Sequence, residues 1–542
     1  MTAGDRADEP LNIAFLTYKG NPFCGGQGVY VRHLSREIAR LGHRVEVIGA
    51  QPYPVLDDRS GVTLTELPSL DLYRDPDPFR TPRLGEFRDW VDALEFATMR
   101  TGGFPEPLTF SLRARRHLAA RSGEFDVVHD NQTLGYGLLG LDRLGLPLVT
   151  TVHHPVTVDR QLEIDAAESI GGRLSKRRWY AFTRMQRRVA GRLPSVLTVS
   201  GSSRRQIIDD LGVRPHRVHV VPIGADSRVF RPDPAVAEVP GRIVTTSSAD
   251  VPLKGLVHLV EALAEVRRDH PEAHLVVVGH RPSHGPVADA LAAHGLGSAV
   301  DFVKGVTDEE LADLVRGAQV ACVPSLYEGF SLPAAEAMAA GTPLVATTGG
   351  AIPEVAGPDG ETCLAVEPGD SAALAAALGR MLADSELRAR VGAAGRARVL
   401  SRFTWEQAAR GTVERYREAR ADHRRRAAPP RTVVPVTERP AGPGRASGPG
   451  TPEGTTPVAT ATGSLTPLVT LRSAATAGTD AAAGAGTAPA TAGGAGSDAA
   501  TTPPARADRP DTPTTPAAPR DADLAVPATG PAPAADRPNA RS

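Results

Sequence analysis

One stretch, from Val320 to Gly341, constrains the fold of this chain more than any other. Its first four residues are short and apolar, which is typical of a strand buried in a parallel sheet. The segment from Pro333 to Ala340 is rich in Ala, Glu and Met, and a glycine follows it, as expected of a helix and its C-terminal cap. The stretch therefore predicts a strand, a loop and a helix, whose free N-terminal amides can hold a phosphate.

Two carboxylates flank the predicted turn. Glu328 stands in the loop, and Glu336 follows eight residues later in the helix. Carboxylates accept hydrogen bonds from hydroxyl groups, so a phosphate at the amides and sugars at the glutamates would form a coherent site. Taken alone, each glutamate is more simply interpreted as an ordinary charge, with Glu336 as a solvated helix residue and Glu328 as a loop charge.

The motif around these glutamates resembles the signature of the retaining glycosyltransferases of family 4, which have the GT-B fold. The pattern is E-x7-E, written out as E-G-F-S-L-P-x-x-E-A-M-A-x-G-x-P-x-V. The resemblance implies a nucleotide-sugar donor, with Glu336 on the nucleotide ribose, Glu328 beside the donor sugar and backbone amides near the diphosphate. The donor-site residues implied in this stretch are Glu328, Gly329, Phe330, Ser331, Leu332 and Glu336.

Length and composition limit the number of domains, the classes of partner and the compartment of the protein. The chain has 542 residues and a formal net charge of −1, so its length allows several domains and its charge does not favour nucleic acid. Its three cysteines suggest neither a metal cluster nor a disulfide framework, which fits a reducing compartment. The N-terminus does not resemble a signal peptide, and no apolar run approaches the ~18 residues of a membrane span. We expect a cytoplasmic protein, with peripheral contact at the inner face of the membrane left open.

The N-terminal segment predicts a βαβ unit. A buried strand from Leu11 to Thr17 precedes a glycine-rich loop, and helical spacing follows from Val29 to Leu41. Open α/β sheets bind ligands at this position, but the glycine spacing is not G-x-G-x-x-G, which disfavours a nicotinamide cofactor. In the family resembled, a Gly-Gly pair here lies near the donor phosphate and the acceptor. This implicates Gly25 and Gly26, with a tight turn that binds no ligand as the alternative.

The segment from 51 to 123 shows an irregular pattern rich in Pro, Asp, Arg and aromatic residues. Asp75-Pro76-Asp77 resembles the D-x-D metal motif of the other large glycosyltransferase fold. It lies among prolines in a turn-like stretch and not at a strand end, so we predict no metal site there. The resemblance places acceptor-side elements in this segment, and a surface insertion is the alternative.

Two histidines follow the predicted strand that ends at Val152. Lone histidines are more often structural than catalytic, but His153 stands at the carboxyl end of a strand in a T-x-H context. In the family resembled, a histidine at this place lies against the donor sugar. The resemblance therefore implicates His153, hydrogen bonded to a sugar hydroxyl and not to a metal, with His154 as the fallback.

The stretch from 171 to 205 is strongly basic and carries apolar residues at helical spacing. The simplest interpretation is an apolar stripe packed on the sheet with the arginines in water. Contact with anionic lipid and capture of an anionic acceptor are the alternatives, and Arg177, Arg178 and Arg184 are the candidates for both. No nucleic-acid reading module accompanies the charge.

Lys254-Gly255 follows a predicted strand of the second half, where a lysine can reach a diphosphate as a point charge. The family resembled has this K-G pair and also an arginine six residues earlier. Here Ser248 occupies the arginine position, so Lys254, backbone amides or another arginine must meet the phosphate charge.

The predicted architecture is α/β, with two Rossmann-like domains whose parallel sheets face a cleft. It comprises a flexible N-terminus at 1–10, an acceptor-side domain at 11–225, a donor-nucleotide domain at 226–402, a closing helix at 403–426 that crosses back to the first domain, and a disordered Ala-, Pro-, Thr- and Gly-rich tail at 427–542.

By resemblance, the expected reaction is transfer of a sugar from a nucleotide diphosphate to an acceptor hydroxyl of a lipid, cyclitol or glycan, with retention of configuration. The candidate catalytic residues are His153, Glu328 and Lys254, and the family needs neither metal nor cofactor. A sugar-nucleotide epimerase on a similar scaffold and a non-catalytic nucleotide-sugar-binding scaffold are the alternatives. The sequence does not specify the donor sugar, its base or the acceptor.

Overall fold

The computed structural model describes residues 9–20, 26–58, 60–74, 77, 79–165, 167, 169–247 and 251–427. The predicted tail lies outside these residues apart from Ala427. Within them the chain forms two α/β units, each built on a fully parallel sheet. This confirms the predicted pair of Rossmann-like domains.

The first sheet has seven parallel strands in the order β3-β2-β1-β4-β5-β6-β7. The strands are β1 (Asn12–Thr17), β2 (Arg44–Gly49), β3 (Thr63–Glu66), β4 (Val127–Asn131), β5 (Leu148–Thr151), β6 (Val196–Thr198) and β7 (Val218–Val220). The helices are α1 (Gly26–Arg40), α2 (Trp90–Arg100), α3 (Glu106–Ala119), α4 (Thr157–Asp165), α5 (Ile170–Trp179), α6 (Phe182–Ala190) and α7 (Gly201–Leu211).

The second sheet has six parallel strands in the order β10-β9-β8-β11-β12-β13. The strands are β8 (Val239–Thr246), β9 (His274–Val278), β10 (Val300–Val303), β11 (Ala318–Val323), β12 (Leu344–Thr347) and β13 (Leu364–Val366). The helices are α8 (Leu256–Asp269), α9 (Pro286–Ala293), α10 (Asp308–Arg316), α11 (Leu332–Ala340), α12 (Ile352–Ala356), α13 (Ser371–Ala383), α14 (Ser385–Arg402) and α15 (Trp405–Ala427).

Helices α2 and α3 correct the expectation that the segment from 51 to 123 is irregular. Asp89 begins α2 by accepting hydrogen bonds from the amides of Val91 and Asp92. The face that α2 turns inward carries buried acids, and the Asp92 carboxylate accepts a 2.6 Å hydrogen bond from Arg113 of α3. Because acids occupy buried positions of α2, its apolar periodicity is weak, and the buried face of α3 is likewise interrupted by Thr109 and Ser111. The sequence pattern therefore did not reveal the two helices.

The chain crosses between the two halves twice, and the crossings touch. Gly224 lies in the first crossing, where an added Cβ would come within 2.0 Å of the carbonyl oxygen of Phe403 in the second. Ala225 and Thr404 form a parallel bridge beside them. After the second crossing, α15 packs against α1 of the first half. Only glycine fits at position 224, because the two crossings approach backbone to backbone.

Side chains of the second half also hold the first half directly. The Glu354 carboxylate accepts hydrogen bonds of 2.7 Å from the amides of Gly201 and Ser202, at the start of α7. The Tyr327 hydroxyl donates to Gln206 Oε1 at 2.6 Å. Glu354 therefore caps a helix that belongs to the other domain, where the positive end of the helix dipole favours a carboxylate.

We expect Glu354→Ala to lower the free energy of unfolding by about 1–2 kcal/mol, because it removes the carboxylate cap of α7. Denaturant unfolding of the full chain measures the loss. Glu361→Ala, at an exposed position of the same domain, is the matched control and should change stability little. Equal stabilities of the two variants would contradict the interpretation of Glu354 as an interdomain cap.

Candidate active site

The loop that follows β11 is held around the carboxylate of Glu328. Its Oε1 atom accepts a 2.8 Å hydrogen bond from Ser325 Oγ and another of 2.8 Å from Lys254 Nζ. Lys254 lies in the turn after β8, the neighbour of β11 in the sheet. The two charged residues predicted from the sequence thus meet at the carboxyl edge of the second sheet, where parallel sheets bind ligands.

Glycines fix the backbone around this carboxylate. Gly350 has φ of +65°, and an added Cβ would lie 2.4 Å from the carbonyl oxygen of Glu328. The Ala351 amide donates to that same oxygen at 2.9 Å. The loop after β12 therefore holds the main chain of Glu328 in place, because only glycine allows so close an approach.

Gly329 brings the loop against the first domain. A Cβ on Gly329 would lie 3.2 Å from the carbonyl oxygen of His153, and Ser203 Oγ donates to the Gly329 carbonyl at 3.2 Å. His153 follows β5, at the carboxyl edge of the first sheet. The structure therefore brings His153 together with the Glu328 loop across the cleft.

Hydrogen bonds assign the tautomer of His153. Its Nε2 atom lies 2.8 Å from Asn131 Oδ1, and Asn131 Nδ2 points to the Gln27 carbonyl at 3.5 Å. This orientation of the amide makes Nε2 the protonated nitrogen and leaves Nδ1 as a hydrogen-bond acceptor. Burial and the neighbouring His154 lower the pKa of His153 to about 3, so the ring is neutral at physiological pH.

A buried polar relay runs from the closing helix α15 to His153. Tyr416 OH lies 2.5 Å from His129 Nδ1, and His129 Nε2 lies 2.7 Å from Thr151 Oγ1. Thr151 Oγ1 shares a 2.9 Å hydrogen bond with the Tyr30 hydroxyl, and the Tyr30 ring packs edge to face on His153 at 4.6 Å. The last helix is thereby coupled to a residue at the cleft.

The N-terminus of α11 has features that favour binding of an anion. Ser331 precedes the helix with φ of +89°, a conformation that L-residues rarely adopt, and its buried Oγ has no hydrogen-bond partner in the described part of the chain. Pro333 occupies the first helical turn, as predicted. Phe330 packs its ring on Phe403 at 5.7 Å. The helix amides and dipole together favour a negatively charged group at this end.

Glu336 lies one turn into α11 with a partly buried side chain. Burial, and secondarily the negative charge of Asp308, raise its pKa to about 7. Asp308 itself is paired with Arg32 of α1 at 2.9 Å. A carboxyl that titrates near neutral pH and retains some exposure can accept hydrogen bonds from ligand hydroxyls.

The remaining predicted site residues lie as follows. Gly26 is the exposed first residue of α1, and Leu332 begins α11 with a partly buried side chain, whereas Gly25 and Ser248 lie outside the described residues. Arg177 and Arg184 are exposed, and Arg178 is held by Thr101 through hydrogen bonds to its carbonyl (3.0 Å) and hydroxyl (2.7 Å). His154, the fallback, is partly buried beside His153.

The described residues contain no group of three or more His, Cys, Asp or Glu side chains that could hold a metal ion. Among the helices of this part of the chain, none is both long and apolar enough to cross a membrane.

The sequence interpretation did not identify Asn131, Tyr30, Tyr416 or Glu354 as parts of the site. Asn131 carried a usable signal, since it ends a predicted strand at the carboxyl edge of the first sheet. Tyr30 and Tyr416 lie on helices far apart in the chain. Only the packing of α15 on α1 places both tyrosines in the same hydrogen-bonded relay. Glu354 lies in α12 of the second half, and only the packing of the two halves brings its carboxylate to α7.

Comparison with known families gives two matches that together cover most of the described chain. Residues 24–229 match the model described as Glycosyltransferase Family 4, and residues 234–398 match that of Glycosyl transferases group 1. The boundary between the two matches coincides with the first crossing between the halves.

Three individual proteins are informative. The chain is 52% identical over 410 residues, covering 76% of this chain and 98% of the relative, to an MMP alpha-(1->4)-mannosyltransferase of Mycolicibacterium hassiacum. It is 31% identical over 451 residues, covering 76% and 90%, to a D-inositol 3-phosphate glycosyltransferase of Nocardioides sp.. The structure superposes on sucrose-phosphate synthase from Thermosynechococcus elongatus with a TM-score of 0.56 and 24% identity, covering 76% of this chain and all of the other, which shows a shared fold.

We expect Glu336 to make stability depend on pH in a defined direction. Because its pKa is raised to about 7 in the folded protein, the carboxyl contributes stability that is fully present below its unfolded pKa of about 4.3 and lost as the pH rises through about 7. The unfolding free energy of the protein, relative to that of Glu336→Gln, should fall by about 1–3 kcal/mol between about pH 5 and pH 8. A difference that stays constant over this range would contradict the assignment.

A second expectation concerns the relay. Tyr416→Phe should lower the unfolding free energy by about 1–3 kcal/mol, because it leaves His129 Nδ1 buried without a partner. The same substitution in a His129→Leu background should cost much less, since the acceptor is already absent. Equal losses in the two backgrounds would show that the Tyr416 hydroxyl does not act through His129.

Proposed function

Because the chain belongs to family 4 of the glycosyltransferases and is therefore a hexosyltransferase, we propose that it transfers a mannosyl residue from a nucleotide-diphosphate donor to the 4-hydroxyl of a sugar acceptor, with retention of configuration. The observation that carries this proposal is the 52% identity, over nearly the whole of the relative, to an α-(1→4)-mannosyltransferase. The inositol-phosphate glycosyltransferase is a weaker guide to the acceptor at 31% identity. As a hexosyltransferase, the chain is neither an epimerase nor a non-catalytic scaffold.

Lys254 is the residue proposed to stabilise the leaving group. When the bond between the sugar carbon and the diphosphate breaks, negative charge develops on the departing oxygen, and a nearby cation lowers the barrier. The Lys254 ammonium stands 2.8 Å from Glu328, which holds it at the carboxyl edge of β8. In this proposal, the amides and dipole at the start of α11 meet the rest of the diphosphate charge. No metal ion is required by this arrangement.

His153 and the two glutamates are proposed to hold the donor. Neutral His153 offers Nδ1 as an acceptor for a hydroxyl of the donor sugar, Glu328 borders the same space, and Glu336 accepts hydrogen bonds from the ribose. The acceptor hydroxyl then forms the new bond on the face that the diphosphate leaves, so the product keeps the configuration of the donor. Closure of the cleft on the donor would exclude water.

Location and surface contacts remain predictions. A cytoplasmic site of action and peripheral contact with an anionic membrane rest on the sequence interpretation. Arg177 and Arg184 are exposed and available for such contact, whereas Arg178 is already engaged with Thr101. Binding of the full chain to anionic vesicles, compared with that of a variant with reversed charges at the two exposed arginines, tests the contact.

The test of the proposed function is a transfer assay with the full chain. Guanosine-, uridine- and adenosine-diphosphate mannose serve as donors, and α-(1→4)-linked mannobiose and inositol 3-phosphate serve as acceptors. We expect mannobiose to be extended with an α-(1→4) bond, read from the anomeric NMR signals of the product. Transfer to inositol 3-phosphate alone, or a β-linked product, would overturn the acceptor or the stereochemistry that we propose.

Variants in the same assay test the assigned roles. Lys254→Met should lower kcat by about 10²-fold or more, since removal of one group that stabilises developing charge has effects of that order. Glu328→Gln should also lower kcat, because it removes the ion pair that positions Lys254. Lys304→Met and Glu361→Gln alter exposed residues of the same domain and are the matched controls. A control variant that loses as much activity as the site variants would contradict the assignment.

A further inference from the structure

A cluster of aromatic side chains in the first domain is packed together but remains open to solvent. Tyr73 contacts Phe104 and Trp179, with ring centroids 5.5 Å and 5.6 Å away, and Phe79 lies 5.5 Å from Tyr73. Tyr73, Phe104 and Trp179 are only partly buried, and Phe79 is 56% exposed. Aromatic rings in a core are normally covered, so a cluster of four partly exposed rings indicates a surface that a ligand can cover.

The backbone presents Phe79 to solvent at a cost. Its φ is +66°, a conformation uncommon for residues other than glycine, and its amide donates to the Leu72 carbonyl at 2.7 Å. A strained backbone that displays an apolar ring is more readily explained by a contact outside the folded chain than by stability, since burial would have covered the ring.

Polar groups without hydrogen bonds line the same cluster. The hydroxyl of Tyr73 and the Oε2 atom of Glu106 are both buried and have no hydrogen-bond partner among the described residues. Lys19 Nζ lies 3.6 Å from Glu106 Oε2, as an ion pair that is longer than a hydrogen bond, and 4.9 Å from the centre of the Phe104 ring. Burial raises the pKa of Glu106 to about 7, which shows how little the surroundings stabilise its charge. Buried polar atoms of this kind require a partner.

The cluster stands beside the candidate active site. Lys19 follows β1 and His153 follows β5, and β4 lies between these two strands in the sheet. Because neighbouring strands are ~4.8 Å apart, the two carboxyl ends are separated by about 10 Å. That separation suits a neighbouring ring of an oligosaccharide whose terminal sugar reaches His153.

We propose that Lys19, Tyr73 and Glu106, with the rings of Phe79, Phe104 and Trp179, form a subsite for a sugar ring of the glycan acceptor beyond the ring that receives the new bond. The subsite rests on the proposed function for its occupant. A pyranose ring presents C–H groups on its faces, which pack on aromatic rings, and hydroxyls at its edge, which bond to a carboxylate, an ammonium and a phenol. A nucleotide or a lipid headgroup fits this subsite less well, because the Glu106 carboxylate repels phosphate and the charge of Lys19 is already paired with Glu106.

The side chain of Lys19 controls access to the buried polar atoms. It is 47% exposed and carries a long flexible stem, so it can move aside while Glu106, which is 15% exposed, stays in place. A sugar hydroxyl would then take the position beside Glu106 Oε2 and the Tyr73 hydroxyl. Both orphaned atoms would gain partners in a single binding step.

The test compares a short and a long acceptor in the full chain. Methyl α-mannoside reaches only the ring beside His153, whereas α-(1→4)-linked mannotetraose reaches the subsite as well. We expect Glu106→Gln to lower kcat/KM for mannotetraose by about tenfold, the size of effect that follows from one lost hydrogen bond to a charged group. Trp179→Ala should lower it as well, because it removes a ring on which the sugar face packs. The same variants should leave kcat/KM for methyl α-mannoside within a factor of about two.

Tyr73→Phe removes only the orphaned hydroxyl, and Tyr136→Phe is its matched control. Tyr136 lies in the same domain, and its hydroxyl accepts from Arg188 at the surface, 3.3 Å away. We expect a loss for mannotetraose with Tyr73→Phe and none with Tyr136→Phe. If the wild type transfers mannose but all variants keep its ratio of kcat/KM for the two acceptors, the subsite is overturned while the function stands.

Calorimetric titration of mannotetraose into the full chain, in the presence of the nucleoside diphosphate, separates the two proposals. Binding that is lost in Trp179→Ala but kept in Tyr136→Phe supports the subsite even if the wild type transfers no mannose. Absence of mannotetraose binding to the wild type overturns the subsite. Circular dichroism and thermal unfolding of each variant confirm that it remains folded.

Discussion

The candidate active site depends on the close approach of two separately wound sheets. At Gly329 the loop after β11 comes so near to His153 that a single added Cβ would lie 3.2 Å from the histidine carbonyl oxygen. The approach is maintained by the touching crossings at Gly224 and by α15, which packs on α1. Glycine at position 224 is a geometric requirement, because backbone meets backbone where a side chain would have to fit, whereas a Cβ at position 329 would need the neighbouring backbone to shift by a few tenths of an ångström.

Around this close approach, burial disfavours the charged forms of several titratable side chains. His153 and His129 are kept neutral, because burial lowers the pKa of each to about 3. Burial also disfavours the charged form of Glu336, because it raises the pKa of this carboxyl to about 7. The Glu328 loop that holds Lys254 therefore meets an uncharged His153, and the ion pair with Glu328 fixes the position of the cation. A departing diphosphate would meet a localised positive charge in such an environment.

The buried polar groups of the first domain differ in how fully they are hydrogen bonded. The buried acids of α2 are hydrogen bonded to Arg88 and Arg113, whereas Oε2 of Glu106, at the start of α3, and the Tyr73 hydroxyl have no hydrogen-bond partner among the described residues. The hydrogen-bonded acids of α2 stabilise the fold, whereas the two buried polar atoms without hydrogen bonds would, in our proposal, be bound by a ligand. The segment from 51 to 123 thus carries both part of the scaffold of the domain and part of its proposed recognition surface.

The sequence by itself determined the alternation of strands and helices, the E-x7-E loop and the K-G turn, because each is a local pattern of apolar spacing, caps and glycines. It failed for α2, whose buried face carries Asp92 and Glu95, and for α3, whose buried face mixes apolar residues with Thr109 and Ser111. Only the tertiary structure decided that Glu354 caps α7, that Tyr416 reaches His129 and that Gly329 meets His153. These contacts join residues far apart in the chain, and their existence follows from how the two domains pack, which no local pattern encodes.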